Sequence, residues 1–160
     1  MMCCHAIICS LIARFLGMSE EIMKKYKTLI TYGTFDLFHI GHVKLLQRMS
    51  EMAERVVVGL STDDFNRLKG KDVVYPFEDR RQILLACRYV DAVFPEKCWE
   101  QKREDIIREK ADVFVMGNDW EGKFDDLSDI VEVRYLSRTE GISTTQIKAS
   151  LKRLLSEGKF

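Results

Sequence analysis

Two histidines with two residues between them, His39 and His42, are the side chains in this sequence most suited to chemistry. They lie in the stretch TYGTFDLFHIGH (31–42), which joins a β-branched, aromatic run to a segment with helical hydrophobic spacing. The unpaired amides and the dipole at the start of such a helix suit a phosphate group. Imidazoles at this point could donate hydrogen bonds to a phosphoryl group as its charge redistributes during transfer. The stretch therefore predicts phosphate binding coupled to group transfer.

Two other roles for these histidines have to be weighed against this one. Zinc takes three or four protein ligands, and the third histidine, His5, lies in an apolar leader far from the motif. A purely structural role is hard to reconcile with two imidazoles placed around a glycine at a helix entrance. We therefore expect no metal site built from protein ligands.

A second segment near the C-terminus, RTEGISTT (138–145), has a similar logic. Arg138 offers a fork of donors for phosphate oxygens, and Gly141 lets the backbone approach an anion closely. The serine and threonines that follow offer hydroxyls and amides at a helix N-terminus. Alone, the segment fits an ordinary helix cap equally well. Its predicted position at the same sheet edge as the histidines favours a second phosphate-binding segment.

Strands and helices alternate along the chain, which predicts one Rossmann-like, doubly wound α/β domain with a five-stranded parallel sheet. Both motifs then lie at carboxyl ends of strands, where such sheets bind ligands. Residues 66–76 read as a loop or short helix, and residues 118–130 as a loop. Pro95 is expected to end the third strand. The predicted strands are 28–32, 55–61, 91–94, 113–116 and 131–136, and the predicted helices begin near Gly41, span 77–89 and 100–110, and begin again at Ser143 or Thr144.

Length and charge restrict the class of protein further. A chain of 160 residues fits one core, and 25 basic residues balance 25 acidic ones, so no global field favours nucleic acid or an anionic membrane. Five cysteines without C-x-x-C spacing indicate reduced thiols and a cytoplasmic location. Residues 1–22 are expected to be an extension outside the domain of residues 23–160, either an atypical addition or the product of an upstream start codon. Arg14 interrupts its apolar run, so we expect no membrane span.

The two motifs also carry a family resemblance. G-T-F-D-x-x-H-x-G-H at 33–42 is typical of the nucleotidyltransferase superfamily, and R-T-x-G-I-S-T-[ST] at 138–145 is typical of its cytidylyltransferase branch. With the phrases RYVDAVFPEKCWEQK and VFVMGNDWEGKFD, the chain resembles the glycerol-3-phosphate cytidylyltransferases from about residue 24 to about residue 148. The resemblance implies direct in-line transfer of a cytidylyl group from CTP to sn-glycerol 3-phosphate, giving CDP-glycerol and pyrophosphate. It further implies Mg²⁺ delivered with CTP, a homodimer, and a product destined for wall teichoic acid or a capsule.

The resemblance also assigns roles residue by residue. His39, His42, Lys71 and Arg138 become the catalytic groups, and Lys69 and Lys102 bind the acceptor. From the residues alone, Lys69 and Lys71 could equally belong to a solvated basic loop, and Lys102 is one more charge on a helix. The implied nucleotide-binding residues are Thr34, Phe35, His39, Ile40, Gly41, His42, Lys71, Asp119, Arg138, Thr139, Glu140, Gly141, Ile142, Ser143, Thr144 and Thr145.

Several points stay open at this stage. Asp36, Asp63 and Asp119 could order the histidines or cations, hold a Mg²⁺ already bound to CTP, or merely cap turns, and the two tryptophans could stack on a ligand or pack. Asn118 stands where the family phrase has an aspartate, which could alter contacts to the base or acceptor. Another acceptor, such as a different polyol phosphate, phosphocholine or phosphoethanolamine, remains an alternative. So does a non-catalytic nucleotide-binding module, which would have no use for transition-state groups.

Overall fold

The computed structural model describes residues 24–159, and the predicted extension at 1–22 lies outside that range. The chain alternates strands and helices along its length. The strands are β1 (Tyr26–Gly33), β2 (Ala53–Ser61), β3 (Ala92–Glu96), β4 (Val113–Gly117) and β5 (Glu132–Leu136). The helices are α1 (Ile40–Met52), α2 (Asp63–Leu68), α3 (Phe77–Leu85), α4 (Lys102–Glu109) and α5 (Thr144–Ser156).

The five strands form one parallel sheet in the order β3-β2-β1-β4-β5. The chain winds outward from β1 in one direction as far as β3 and then returns to build the other half. The strand order therefore reverses between β1 and β4, and a crevice opens there at the carboxyl edge of the sheet. This is the doubly wound architecture predicted from the sequence.

The central strands are apolar because the sheet is covered on both faces. One core contains Leu29, Val56 and Val58 under α1 and α3, and the other contains Ile30 and Phe114 on the opposite face. Successive residues of β1 thus alternate between two cores, which explains a nearly continuous hydrophobic run.

Two predicted boundaries are wrong. Helix α3, predicted to span 77–89, ends at Leu85. After it the chain turns and buries Val90, and the Asp91 carboxylate accepts a hydrogen bond from the backbone N–H of Val56 at 2.7 Å. The third strand continues through Pro95 to Glu96. It lies at the sheet edge, where a missing N–H leaves no partner unsatisfied.

The two polar stretches contain more structure than a plain loop. Residues 66–76 begin in the short helix α2 and continue as a loop, as one of the two predicted readings had it. Residues 118–130 include two short 3₁₀ helices, at Asn118–Trp120 and Asp125–Asp129. Within residues 24–159, no helix has the length and apolar character needed to cross a membrane.

Candidate active site

A cleft of about 420 Å³ opens at the carboxyl edge, above the junction of β1 and β4. The strand-to-helix turn after β1 forms one wall, and the turn between β5 and α5 forms the other. The two sequence motifs, about 100 residues apart in the chain, therefore face one space. The predicted residues that line it are Thr34, Phe35, His39, Gly41, His42, Lys71, Asp119, Arg138, Thr139, Ile142, Ser143, Thr144 and Thr145.

The two histidines form the N-terminal cap of α1. The backbone N–H of Gly41 donates to His39 Nδ1 at 3.1 Å, and the backbone N–H of His39 donates to His42 Nδ1 at 3.4 Å. Their rings stack with centroids 3.8 Å apart. This reciprocal arrangement is a capping box made from imidazoles in place of the usual hydroxyl and carboxylate.

Burial determines the protonation state of the histidines, and the cap determines their tautomer. Burial lowers the pKa of His39, and burial together with the neighbouring His39 lowers the pKa of His42 to about 3, against a smaller opposing effect of Asp36. Both rings are therefore neutral at physiological pH. Because each Nδ1 accepts a backbone N–H, the ring proton belongs on Nε2. Each imidazole thus keeps a neutral Nε2–H donor for a group bound in the cleft.

Gly41 is the point where the two motifs meet. A Cβ added there would lie 2.8 Å from Cε1 of His39 and 3.0 Å from Cγ2 of Ile142, which belongs to the second motif. Both distances are shorter than normal van der Waals contact. A residue without a side chain is therefore required for His39 and Ile142 to approach the first turn of α1 together.

The backbone just before the histidines is strained. Phe35 and Leu37 both have positive φ, 49° and 47°, which is uncommon for residues with bulky side chains. Between them, the buried Asp36 accepts hydrogen bonds from the backbone N–H groups of Val74 and Tyr75 and pairs with Lys148 at 3.0 Å. Burial alone would raise the pKa of Asp36, but these donors bring it below its ordinary value. Asp36 is therefore a carboxylate that anchors the turn.

The second motif is held to the first at the start of α5. Ser143 caps this helix by accepting the backbone N–H of Gln146 at 3.2 Å, and Thr144 Oγ1 donates to the carbonyl of Asp36 at 3.0 Å. Gly141 has a φ of 78°, a conformation that favours glycine. Three of the predicted nucleotide-binding residues, Ile40, Glu140 and Gly141, do not line the cleft. Their predicted contacts with a nucleotide stay predictions.

Arg138 and Asp119 face each other at the mouth of the cleft. The guanidinium donates to both carboxylate oxygens, at 2.6 Å from Nη2 and 3.2 Å from Nε. Both side chains are substantially exposed, so the pair contributes little to stability. Arg138 can exchange the carboxylate for a phosphate at small cost, which fits its predicted role.

A second cleft, of about 370 Å³, adjoins the first and shares Lys71 and Trp120 with it. Lys69 lines this second cleft and places its ammonium 4.3 Å from the centre of the Phe65 ring. Lys102 is instead buried, with Nζ 2.6 Å from Glu96 Oε1 and 4.7 Å from the centre of the Trp99 ring. The two predicted acceptor lysines thus have different positions, one at the surface of a cleft and one beneath it.

Asp63 and the two tryptophans make contacts within the protein. Asp63 caps α3 by accepting the backbone N–H of Phe77 and pairs with Arg80, which is a structural role. Trp99 and Trp120 pack with their ring centroids 5.5 Å apart and line the second cleft. They are packed residues that still present a face to a ligand.

Three important polar residues were not identified from the sequence. Arg48 lines the first cleft and donates to the carbonyl of Ser137 at 2.8 Å, which ties α1 to the second motif. Arg80 and Glu96 are buried and organise the ends of β1, β2 and β3. Arg80 follows Pro76 at the start of a helix, where a charged residue normally faces solvent, so its sequence gave no signal of burial.

A doubly wound sheet whose switch-point cleft lies between two helix N-termini is an architecture suited to binding a nucleotide. A profile of the Cytidylyltransferase-like family matches residues 30–150. The chain belongs to this family. It is 58% identical over 128 residues to the glycerol-3-phosphate cytidylyltransferase of Bacillus subtilis, covering 80% of this chain and 99% of that protein. It is 56% identical over 125 residues to the enzyme of the same name from Staphylococcus aureus, covering 78% and 95%.

A solved structure supports the fold independently. The lipopolysaccharide core biosynthesis protein of Thermoplasma volcanium superposes with a TM-score of 0.63, covering 72% of this chain and 99% of that one. At 20% sequence identity this similarity concerns the fold alone.

Proposed function

We infer that the protein transfers the cytidylyl group of CTP to sn-glycerol 3-phosphate, giving CDP-glycerol and pyrophosphate. The observation that carries this inference is the single cleft lined by both motifs, with two neutral imidazole donors on one wall and Arg138 on the other. Identity above 50% to two glycerol-3-phosphate cytidylyltransferases supports both the nucleotide and the acceptor.

The reaction requires a bond from an acceptor phosphate oxygen to the α-phosphorus of CTP, while the bond from that phosphorus to the β-phosphate oxygen breaks. Because a phosphate monoester is mostly deprotonated at neutral pH, neither a protein nucleophile nor a strong general base is needed. The protein positions two anions and stabilises the charge on the transferring group. We assign that stabilisation to Nε2 of His39 and His42, and the binding of the departing pyrophosphate to Lys71 and Arg138.

The two adjoining clefts suggest how two anions are brought together. We assign the first cleft to CTP and the second to glycerol 3-phosphate, which would meet Lys69 there. Lys71 lines both clefts and can contact either anion. Cations near both substrates offset their mutual repulsion.

Magnesium is proposed to arrive already bound to the phosphates of CTP. Among residues 24–159, no three or more histidine, cysteine, aspartate or glutamate side chains cluster to hold a metal ion. Asp119 lines the cleft and is 39% exposed, so it could contact an ion carried by the nucleotide, whereas Asp36 is engaged with backbone amides and Lys148. When bound, the ion would neutralise phosphate charge.

A direct assay tests the proposed function. CTP radiolabelled at the α-phosphate is incubated with glycerol 3-phosphate, and the products are separated by chromatography. We expect labelled CDP-glycerol together with release of pyrophosphate. Faster turnover with phosphocholine, phosphoethanolamine or another polyol phosphate would contradict the acceptor, and tight CTP binding without turnover on any of them would indicate a non-catalytic module.

Quaternary structure and location are also proposed from the family. We propose a cytoplasmic homodimer with the segment Arg88–Asp91 near the subunit contact. Sedimentation equilibrium should give twice the chain mass of 18.7 kDa at micromolar protein concentration. A single-chain mass under those conditions would contradict the dimer.

A further inference from the structure

Glu96 is a carboxylate buried next to the proposed acceptor site. It is the last residue of β3, at the carboxyl edge of the sheet, and is only 2% exposed. Its Oε1 lies 2.6 Å from Nζ of Lys102. Its Oε2 accepts a hydrogen bond from the Ser61 hydroxyl at 2.5 Å and lies 3.6 Å from Nζ of Lys69. One carboxylate therefore bridges two lysines.

The charges in this cluster do not cancel. Lys69 and Lys102 together carry two positive charges against one negative charge on Glu96, and their side chains are 9% and 3% exposed. A buried ammonium without a partner is costly and tends to lose its proton. The single carboxylate is thus the shared counterion of two desolvated lysines, and the cluster has a formal excess of one positive charge at the wall of the second cleft.

The geometry also shows how Lys69 is oriented. Its Nζ donates to Ser61 Oγ at 2.7 Å, and that hydroxyl in turn donates to Glu96. Glu96 therefore fixes Lys69 both directly and through Ser61, while Lys102 holds Glu96 from the other side. These contacts hold the Lys69 ammonium at the wall of the second cleft before any ligand enters.

We propose that Glu96 is the positioning residue of the acceptor site, holding Lys69 charged and aimed at the phosphate of the acceptor. This inference rests on the proposed function, because it assigns the second cleft to that substrate. The expected contribution is to acceptor binding. Glu96 is buried beneath the lysines and is not expected to touch the reacting atoms.

The ionisation of Lys69 supports the proposal. Burial lowers its pKa to about 8, Glu96 opposes this shift, and the nearby Lys71 and Lys102 add to it. The other groups against its ammonium are the Ser61 hydroxyl and the rings of Phe65 and Trp99. Without Glu96, the charge that opposes this shift is lost, whereas burial, Lys71 and Lys102 still lower the pKa of Lys69, so more of Lys69 would be neutral at pH 7.

The kinetic test compares Glu96→Gln with the unaltered protein, whose turnover of CTP and glycerol 3-phosphate is established first. We expect the KM for glycerol 3-phosphate to rise on the order of tenfold, the scale of one lost charged hydrogen bond, and the KM for CTP to change less than about twofold. The matched control is Glu109→Gln. The Glu109 carboxylate pairs with Arg55 at a distance of 2.8 Å, and neither residue lines either cleft. This control variant should leave both KM values unchanged.

Two further measurements keep the test decisive. Glu96→Asp retains the charge but shortens the side chain, and should give an intermediate KM for the acceptor even if Glu96→Gln fails to fold. Lysine side-chain NMR, assigned with Lys69→Gln, should show Lys69 titrating at lower pH in Glu96→Gln than in the unaltered chain. The NMR measurement does not depend on turnover, so it separates this inference from the proposed reaction.

Three results would overturn the proposal. The first is a lower KM for the acceptor in Glu96→Gln, which would mean that the carboxylate repels the phosphate. The second is an equal rise in both KM values with loss of thermal stability, which would indicate a purely structural residue. The third is an unchanged Lys69 titration.

Discussion

At the scale of single residues, the helix cap fixes the orientation of the two neutral histidines, and we propose that each donates a hydrogen bond to the transferring phosphoryl group. His39→Ala and His42→Ala should each lower kcat about a hundredfold or more, the scale for removing one preorganised donor. CTP affinity should fall much less, because Arg138 and the start of α5 share ground-state binding. Steady-state kinetics and calorimetric titration with CTP measure the two effects separately.

The control for this pair is Lys44→Ala, an exposed change on the same helix that should preserve kcat. A histidine variant with normal kcat but lost CTP affinity would show a binding site only. An unfolded variant would return the histidines to a structural role.

The lowered pKa of the partly buried His42 also predicts how stability depends on pH. Its folded-state pKa, about 3, lies below the ordinary value of 6.5. Its contribution to stability is therefore complete above pH 6.5 and is lost as the pH falls from 6.5 toward 3, because only the unfolded chain takes up the proton. Between pH 7.5 and pH 5, the free energy of unfolding measured with urea should fall more for the unaltered chain than for His42→Gln. Equal losses in the two proteins would contradict the assignment of a neutral His42 in the folded state.

Sequence reasoning located the residues that line the first cleft better than the buried polar ones. Thr34, His39, His42 and Arg138 lie in compact motifs whose glycines and hydroxyls carry a local signal. Glu96 acquires its significance from lysines at positions 69 and 102, which only the folded sheet brings together. A carboxylate in a strand next to a proline has no local feature that reports such partners.

At the scale of elements, Arg80 joins the ends of β1 and β2 to the loop before α3. Its guanidinium donates to the carbonyls of Thr34, Ser61 and Tyr75 and pairs with Asp63, while the residue is only 1% exposed. Arg80→Met should reduce the free energy of unfolding by about 3 kcal/mol, because buried carbonyls lose their donors. Urea denaturation measures the change.

The neighbouring Arg81 provides the comparison. It makes a partly exposed pair with Glu78 on the same helix, so Arg81→Met should cost less than about 0.5 kcal/mol. Similar losses for both variants would show that the carbonyl contacts of Arg80 contribute nothing specific.

The sequence predicted strands well where burial on both faces of the sheet determines the residue types. β1, β2 and β4 are buried on both faces, and their continuous apolar runs report it. The end of α3 and the end of β3 were missed because tertiary demands decide them. Val90 and Asp91 are drawn out of the helical pattern by the core and by β2, and Pro95 is tolerated by its place at the sheet edge.

At the scale of the whole molecule, CTP should bind the folded state and not the unfolded state, and should therefore stabilise the folded state by mass action. At a concentration of about 100 times Kd, the gain is about 2.7 kcal/mol, equivalent to a rise in Tm of roughly 5 to 10 °C for a domain of this size. Thermal unfolding with and without CTP measures it. Arg138→Ala should reduce the shift, and a folded protein with an unchanged Tm at saturating CTP would contradict the binding site.

Helix α5 contributes Thr144, Thr145 and Lys148 to the lining of the first cleft, yet few contacts hold it to the rest of the molecule. All thirteen of its residues lie in the described range and each is at least partly exposed, with Leu151 and Leu155 at 42% and 66%. Its described polar attachments, through Thr144 and Lys148, gather in its first two turns. In amide hydrogen exchange, α5 should therefore exchange far faster than β1, and CTP should slow the exchange of its first turns most. Uniform protection along α5 without nucleotide would show that the helix is held along its whole length.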